Sequence, residues 1–371
     1  MEEQKAEERR KAPQAEEQQP EQRLSKEQQP EQPQTGAEPQ LAAGEQGEPL
    51  LEERSVSRRL SACVSGLMLC LFVFLAASYV VQFSMQLGIM LWARLLGIDI
   101  LPLLQRHFLL LSSIPMYCVA FPLTLLLIHW RFPQQRFLKR SPGSAPAEMF
   151  SMGPLRFFCW FAAAYSLMLL GNLMGSGLMQ LVSYETPNLV EETVTHSDSG
   201  ELLLFTVVCA PLVEELLLRR VLVDRLREFG GGTAVLLSAL AFGLMHGNLF
   251  QFFYAFFLGV LFAYLYLRSG KLWMTVLLHM LINFMGGYLP QRLLGIENPA
   301  LYQLANTLLG VLMLVLLAVG IISLLRGLRH LRLLPRELLK PFRPGWLRSV
   351  FWNRGMLVFL AGSLLLFWMS V

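Results

Sequence analysis

The sequence predicts an all-α fold, a polytopic bundle of transmembrane helices, and two observations carry that prediction. Apolar residues make up 54% of the 371 residues and charged residues only 16%, and the mean hydropathy is +0.46. A soluble domain of this size rarely has such a balance. Apolar runs long enough for a helix to cross a bilayer also recur along the chain. Together they indicate a protein that spans a membrane several times.

The predicted elements follow an unusual N-terminal segment. Residues 1–53 are dominated by Glu, Gln and Pro and contain 14 acidic and 6 basic residues, a net charge of −8. Such a composition cannot bury enough apolar surface to fold, so we expect a disordered acidic tail followed by a transmembrane domain at residues 54–371. Within that domain we predict eight helices and a shorter candidate ninth: Leu60–Val81, Phe108–His129, Leu155–Val182, Glu201–Val223, Thr233–His246, Leu249–Leu267, Leu272–Leu289, Leu301–Leu325 and Met356–Val371.

Basic residues fall on alternate predicted loops. They precede the first helix, follow the second and the fourth, separate the sixth from the seventh, and follow the eighth. The loop at 183–200, by contrast, has four acidic residues and no Lys or Arg. By the positive-inside rule, the N-terminus and the basic loops face the cytoplasm. We therefore expect an integral protein of the plasma (inner) membrane with a cytoplasmic N-terminus, whose surroundings are lipid and not nucleic acid.

Five polar residues lie within these apolar segments: Glu214, Glu215, His246, His279 and Asn283. Carboxylates in a membrane-length apolar segment are costly, so they usually face the bundle interior and mark a site. Counted at 1.5 Å per residue from the cytoplasmic ends of their helices, Glu214, His246 and His279 lie about 15, 20 and 12 Å deep. Those depths fall around the middle of a hydrocarbon core about 30 Å thick. Three helices can therefore bring these side chains to one level.

The spacing of the polar residues predicts a division of roles. Glu215 and Arg219 are four residues apart, so they share a helix face and can pair. Such a pair would keep Glu215 ionised, while Glu214, about 100° around the helix, points elsewhere. One of two coupled carboxylates can then act as a general base. His279 and Asn283 are also four residues apart, and an imidazole beside an amide suits stabilisation of an oxyanion.

Other roles for the same residues stay open at this point. Glu214, His246 and His279 together form a set of one carboxylate and two imidazoles, which binds Zn²⁺ in many hydrolases. The five cysteines lie in apolar segments without a C-x-x-C pair, which argues against a Cys-based metal site or a disulfide framework. Alternatively, the polar groups form a structural network that holds the helices together by hydrogen bonds and has no catalytic role. A proton-coupled transporter would show paired repeats, and the sequence has no convincing internal repeat.

Three short motifs in order carry a family resemblance. E-E-x-x-x-R spans Glu214–Arg219, F-x-x-x-H spans Phe242–His246, and H-x-x-x-N spans His279–Asn283. Over residues 201–288 the chain resembles the CPBP family of CAAX proteases and bacteriocin-processing proteins, also called Abi or CAAX prenyl protease 2/lysostaphin resistance protein A-like. One such motif is a weak signal, but three in order on consecutive predicted helices are specific.

The resemblance implies an intramembrane endopeptidase. By motif position it divides six polar residues into three pairs: water activation by Glu214 and His246, oxyanion stabilisation by His279 and Asn283, and support by Glu215 and Arg219. The substrate would be a peptide or lipidated protein, processed in a CAAX-type or a bacteriocin/leader-peptide-type reaction. The family has been described both as a metalloprotease and as a metal-free glutamate protease, so zinc stays open, as does the oligomeric state. The alternative is a non-proteolytic membrane scaffold or a bacteriocin self-immunity protein.

Overall fold

A computed structural model of the chain describes residues 47–133, 153–182, 193, 197–330 and 345–370. Every regular element in those ranges is helical, which confirms the predicted all-α class. The chain divides into two units, Met1–Glu48 and Pro49–Val371. The predicted disorder of residues 1–46 lies outside the described residues. The first helix begins at Gly47, inside the predicted tail, and the boundary at residue 53 stays a prediction.

Eleven helices follow one another along the described ranges. In chain order they are α1 (Gly47–Leu95), α2 (Leu101–Arg106), α3 (Phe108–Arg131), α4 (Pro154–Val182), α5 (199–226), α6 (Gly231–Met245), α7 (Leu249–Ser269), α8 (Leu272–Leu294), α9 (Pro299–His330), α10 (Trp346–Phe351) and α11 (Arg354–Met369). Three of them contain π-helical stretches, which are Pro115–Ala120 in α3, Leu202–Cys209 and Leu216–Val223 in α5, and Phe284–Tyr288 in α8.

Each predicted apolar run corresponds to one of these helices. Six helices in the described part of the chain (α1, α3, α4, α7, α8 and α9) are long and apolar enough to cross a membrane. The other three predicted spans are α5, which carries the glutamates of the candidate site, and the shorter apolar helices α6 and α11. The polytopic class is therefore confirmed, whereas the total of eight or nine crossings stays a prediction.

The first helix is longer than the predicted span. The apolar run was expected to end at Val81, but α1 continues to Leu95. Residues 82–95 contain no proline and are rich in Gln, Met and Leu, which are good helix formers even where the apolar run is interrupted. The backbone first takes a positive φ at Gly97, at +69°. The short helices α2 and α10 are not among the predicted elements.

Helix α7 is held closely between α4 and α6 at glycine positions. A Cβ added at Gly171 would lie 2.3 Å from the Cα of Tyr254, and one added at Gly175 would lie 2.7 Å from a carbonyl oxygen of α7. On the other side, a Cβ at Gly259 would lie 2.7 Å from the Cα of Ala239. Small residues of this kind let helix backbones approach each other. The N-terminal half of α7 is thereby fixed beside the candidate site.

Candidate active site

The two glutamates lie on a regular stretch of α5 between two π-helical stretches. Leu202–Cys209 and Leu216–Val223 are π-helical, and Ala210–Glu215 between them is α-helical. π-Helical turns are rare and frequently occur at functional sites. Because a wider turn rotates the side chains that follow it, the changes of pitch on either side set the directions of Glu214 and Glu215.

Glu215 is fully enclosed and contacts both Arg219 and His279. Its Oε2 lies 3.1 Å from Nε of Arg219, and its Oε1 lies 3.1 Å from Nδ1 of His279. The side chains of Glu215 and Arg219 both have 0% exposure, so they form a buried ion pair at the predicted i,i+4 spacing. The guanidinium also stacks between two rings, 4.9 Å from the centroid of Phe242 and 5.5 Å from that of Phe262. These contacts stabilise its charge in apolar surroundings.

His279 lies between the two glutamates. Its Nδ1 contacts Glu215, and its Nε2 lies 3.6 Å from Oε2 of Glu214. A carboxylate paired with Arg219 accepts hydrogen bonds and does not donate them. Nδ1 of His279 therefore carries a proton and donates a hydrogen bond to Glu215. The Nε2 edge therefore faces Glu214, whose side chain keeps 22% exposure. Glu214 is the glutamate that water or a substrate can reach.

His246 ends α6 and contacts the same aromatic ring as His279. Its Nδ1 lies 2.7 Å from the carbonyl oxygen of Phe242; since a carbonyl only accepts, Nδ1 donates and Nε2 can accept. The Phe242 ring centroid is 5.0 Å from the His246 ring and 5.5 Å from the His279 ring. The Glu214 carboxylate interacts electrostatically with the His246 imidazole. Side chains from α5, α6 and α8 thus meet around one phenylalanine.

Asn283 is bound to the backbone of α5. Its Nδ2 donates to the carbonyl oxygen of Thr206 over 2.9 Å. In this π-helical stretch an N–H bonds to the carbonyl five residues earlier, as Ala210 does to Phe205. The next residue is Pro211, which has no N–H to donate to Thr206. Asn283 supplies the missing donor, so one of its two amide N–H groups is committed to the backbone of α5.

The predicted zinc ligands do not converge. Within the ranges that the structure describes, no group of three or more His, Cys, Asp or Glu side chains is placed to hold a metal ion. The described residues therefore give no support to a metalloprotease.

Two residues of the site were missed by the sequence patterns. Phe242 belongs to a motif, but nothing in the sequence indicates that its ring contacts two histidines and an arginine. Tyr254 of α7 brings its ring to 6.1 Å from that of His246. The spacing of Gly171 and Gly175 was a usable signal for Tyr254, because G-x-x-x-G in an apolar helix predicts a close helix contact.

The fold and the site together define a class of protein. A polytopic helical bundle encloses two carboxylates, two imidazoles and an amide, a combination typical of a functional centre inside a membrane. Residues 199–285 match the family model described as Type II CAAX prenyl endopeptidase Rce1-like. The matched range contains all three motifs, so the chain carries the core of the CAAX protease family, and that family indicates a membrane-embedded protease. No curated protein and no solved structure matches the chain.

Proposed function

We propose that the chain is an intramembrane endopeptidase that cleaves a CAAX-type, membrane-associated substrate with water activated by Glu214. The observation that carries the proposal is the pair of unequal glutamates on either side of His279. Glu215 is buried and neutralised by Arg219, whereas Glu214 is partly exposed and forms no ion pair with Lys or Arg among the described residues. One carboxylate therefore positions the imidazole, and the other is available as a base.

The proposed reaction is hydrolysis of one peptide bond. Glu214 takes a proton from water, and the water oxygen attacks the carbonyl carbon, whose C=O electron pair moves to the carbonyl oxygen. An electron pair of the oxyanion then re-forms the C=O double bond as the C–N bond breaks, the nitrogen leaves with the electron pair of the C–N bond, and the proton moves from Glu214 to that nitrogen. The products are a carboxylic acid and an amine. His246 orients the water through Nε2, the nitrogen that its bond to the Phe242 carbonyl leaves available.

The carbonyl oxygen of the substrate lies toward His279 and Asn283 in this proposal. His279 already donates its Nδ1 proton to Glu215, so it can donate from Nε2 only in the doubly protonated form. Asn283 has one amide N–H left after its bond to Thr206. Glu215 and Arg219 support the site by fixing the His279 ring, and they do not touch the substrate.

The family description supports the substrate class, and the distribution of basic residues supports the location. The matched family is one of prenyl endopeptidases of the CAAX type, and the resemblance implies removal of the last three residues of a prenylated C-terminus. A bacteriocin or leader peptide is the alternative substrate within the same reaction. We place the protein in the plasma (inner) membrane with a cytoplasmic N-terminus, as the basic loops predict. We also propose a metal-free mechanism, because the zinc ligand set does not converge.

The test uses the full chain purified into lipid nanodiscs. The probe is a farnesylated peptide with a C-terminal CAAX sequence, and mass spectrometry measures release of the last three residues. We expect cleavage by the wild-type chain, none by Glu214→Ala, and no loss on treatment with a zinc chelator. Loss of cleavage with the chelator, restored by added Zn²⁺, would overturn the metal-free mechanism alone.

A second measurement separates the reaction from the choice of probe. Terminal peptides are compared by mass spectrometry in cells that express the wild-type chain or Glu214→Ala at matched levels. Termini that vanish in the variant establish proteolysis and identify the substrate, even where the farnesylated probe is not cleaved. If neither assay shows a difference, the proteolytic function is wrong, and the polar centre serves a scaffold or an immunity protein.

A further inference from the structure

The turn between α6 and α7 holds a chain of hydrogen bonds that begins at His246. Gly247 has φ +66°, a conformation that favours glycine, and Asn248 then caps α7 by accepting the backbone N–H of Gln251 at Oδ1, 2.9 Å away. Nδ2 of Asn248 lies 3.0 Å from the carbonyl oxygen of His246 and 2.7 Å from Oε1 of Gln251. Nε2 of Gln251 in turn lies 2.6 Å from the hydroxyl oxygen of Tyr254.

The direction of each bond follows from the first donor. A backbone N–H can only donate, so the Asn248 atom that faces it is the oxygen and the other is the NH₂ group. That NH₂ group requires an oxygen on Gln251, which turns the NH₂ group of Gln251 toward Tyr254. The Tyr254 hydroxyl oxygen therefore accepts. Its own proton takes no part in this network and is left to donate elsewhere.

The Tyr254 ring lies beside the candidate site. The ring packs edge-on against His246, with centroids 6.1 Å apart, and the tyrosine interacts electrostatically with the Glu214 carboxylate. Close contact of its Cα with Gly171 fixes the backbone from the α4 side. The residue is partly buried. Tyr254 is therefore held in place beside His246.

A second tyrosine beside the same glutamate is in a different state. Tyr117 also interacts electrostatically with Glu214, but its hydroxyl donates to the carbonyl oxygen of Phe205 over 3.2 Å. The donors predicted for the oxyanion are also partly committed, since His279 donates from Nδ1 to a glutamate and Asn283 donates to the backbone of α5. Of these two tyrosines, Tyr117 donates its hydroxyl proton to a backbone carbonyl, whereas the hydroxyl proton of Tyr254 has no acceptor among the described residues.

We propose that Tyr254 is a further catalytic residue, whose hydroxyl donates a hydrogen bond to the oxygen of the scissile carbonyl as that oxygen gains negative charge. The inference rests on the proposed proteolytic function. No proton is transferred, and the O–H bond stays intact throughout. A donor aimed at developing charge stabilises the transition state more than the bound substrate. Its contribution is therefore expected in kcat and not in KM.

The experiment compares two tyrosines on α7. Tyr254→Phe removes the hydroxyl and keeps the ring; the control Tyr264→Phe removes a hydroxyl from a ring that packs on Trp160, with centroids 6.2 Å apart. We expect Tyr254→Phe to lower kcat about 10²-fold, the loss typical of one oxyanion donor, with KM unchanged. Tyr264→Phe should match the wild type. A peptide phosphonate, whose tetrahedral P–O⁻ imitates the oxyanion, should bind Tyr254→Phe more weakly by the same factor as kcat/KM falls.

The outcomes separate this inference from the function on which it rests. If the wild-type chain and Tyr264→Phe cleave the farnesylated peptide and Glu214→Ala does not, the proteolytic function stands. A Tyr254→Phe variant with unchanged kcat, or with unchanged affinity for the phosphonate, would then overturn the role of Tyr254 alone. If the wild-type chain cleaves no peptide at all, both the proteolytic function and the role of Tyr254 are overturned.

Discussion

Glutamates of helix α5 contact a histidine at two places along the helix, and the two places differ in their exposure to solvent. Near its start, Oε1 of Glu201 lies 2.5 Å from Nδ1 of His107. About 20 Å further along the helix, Glu214 and Glu215 flank His279. The His107 side chain keeps 33% exposure, and that of His279 keeps 4%. The same two residue types therefore meet in a wet setting and in an enclosed one.

The second partner of each glutamate explains what the contact does. Glu201 accepts the backbone N–H of Leu110 at its other oxygen, 3.3 Å away, in the first turn of α3. There it satisfies a free N–H and places negative charge at a helix N-terminus, which is favourable. Glu215 instead uses its other oxygen for Arg219 in a site without solvent. A glutamate–histidine contact alone therefore does not identify an active site. The two places differ in burial and in the second contact of the glutamate, which is a backbone N–H for Glu201 and the Arg219 guanidinium for Glu215.

The largest expected effect separates the two glutamates by activity. Glu214→Gln keeps the size of the side chain but cannot take a proton from water, so we expect cleavage to fall about 10³-fold, within the range of general-base contributions. Glu201→Gln is the matched control and should leave cleavage near the wild-type rate. Both rates are measured in nanodiscs with the farnesylated peptide. Equal losses of cleavage rate in the two variants would contradict the assignment of Glu214, and not Glu201, as the catalytic base.

The next effect concerns stability at the enclosed end. Arg219→Met leaves the Glu215 charge buried and uncompensated, which is expected to destabilise the protein by about 3–5 kcal/mol. The double variant Glu215→Gln/Arg219→Met should recover part of that loss, because no charge remains unpaired. Arg292→Met, at an exposed position of α8, is the control and should change stability by less than about 0.5 kcal/mol. Denaturant unfolding in detergent provides the measurement; an Arg219→Met variant as stable as the control would contradict the buried pair.

A smaller effect tests how Asn283 holds α5. Asn283→Ala leaves the Thr206 carbonyl without its donor, at an expected cost of about 1–3 kcal/mol. Pro211→Ala restores a backbone N–H at the position that can serve this carbonyl, so the cost of Asn283→Ala should shrink in that background. A double-mutant cycle on unfolding measures the difference. An equal cost in both backgrounds would show that Pro211 does not explain the bond.

The activity of the same double variant decides how Asn283 acts. If the amide N–H left after the bond to Thr206 faces the oxyanion, stability returns in Pro211→Ala/Asn283→Ala while cleavage stays low. If cleavage returns together with stability, Asn283 acts only through the backbone of α5. We expect the first result, because each Asn amide has two donors and the structure commits one of them.

The smallest effect is expected at the exposed contact. His107→Gln should change stability by less than about 1 kcal/mol, as for other partly exposed ion pairs, and should leave cleavage unchanged.

His246→Ala, at the candidate site, should by contrast abolish cleavage by removing the imidazole that orients water. The two variants are compared in the nanodisc assay. Similar activity in both would contradict the site assignment.

Several features of the site follow from the sequence because they are local. The Glu215–Arg219 pair depends only on the i,i+4 geometry of one helix, and the structure has it at 3.1 Å. The prediction that the α5 glutamates lie near mid-membrane depth also depends only on the lengths of the apolar runs. By contrast, the π-helical stretch around Thr206 depends on a donor from Asn283, 77 residues away. No local pattern predicts that bond, although Pro211 indicates where a donor is missing.

The sequence by itself determined that this chain crosses a membrane, which polar residues lie inside it and which of them can pair along a single helix. Only the tertiary structure decided that His279 lies between two glutamates, that Glu214 is the more exposed of them, and that the proton of Tyr254 is uncommitted. The physical reason is that contacts between helices depend on their rotation and separation. Those are set by packing between distant positions, such as Gly171 against Tyr254, and no spacing within one helix encodes them.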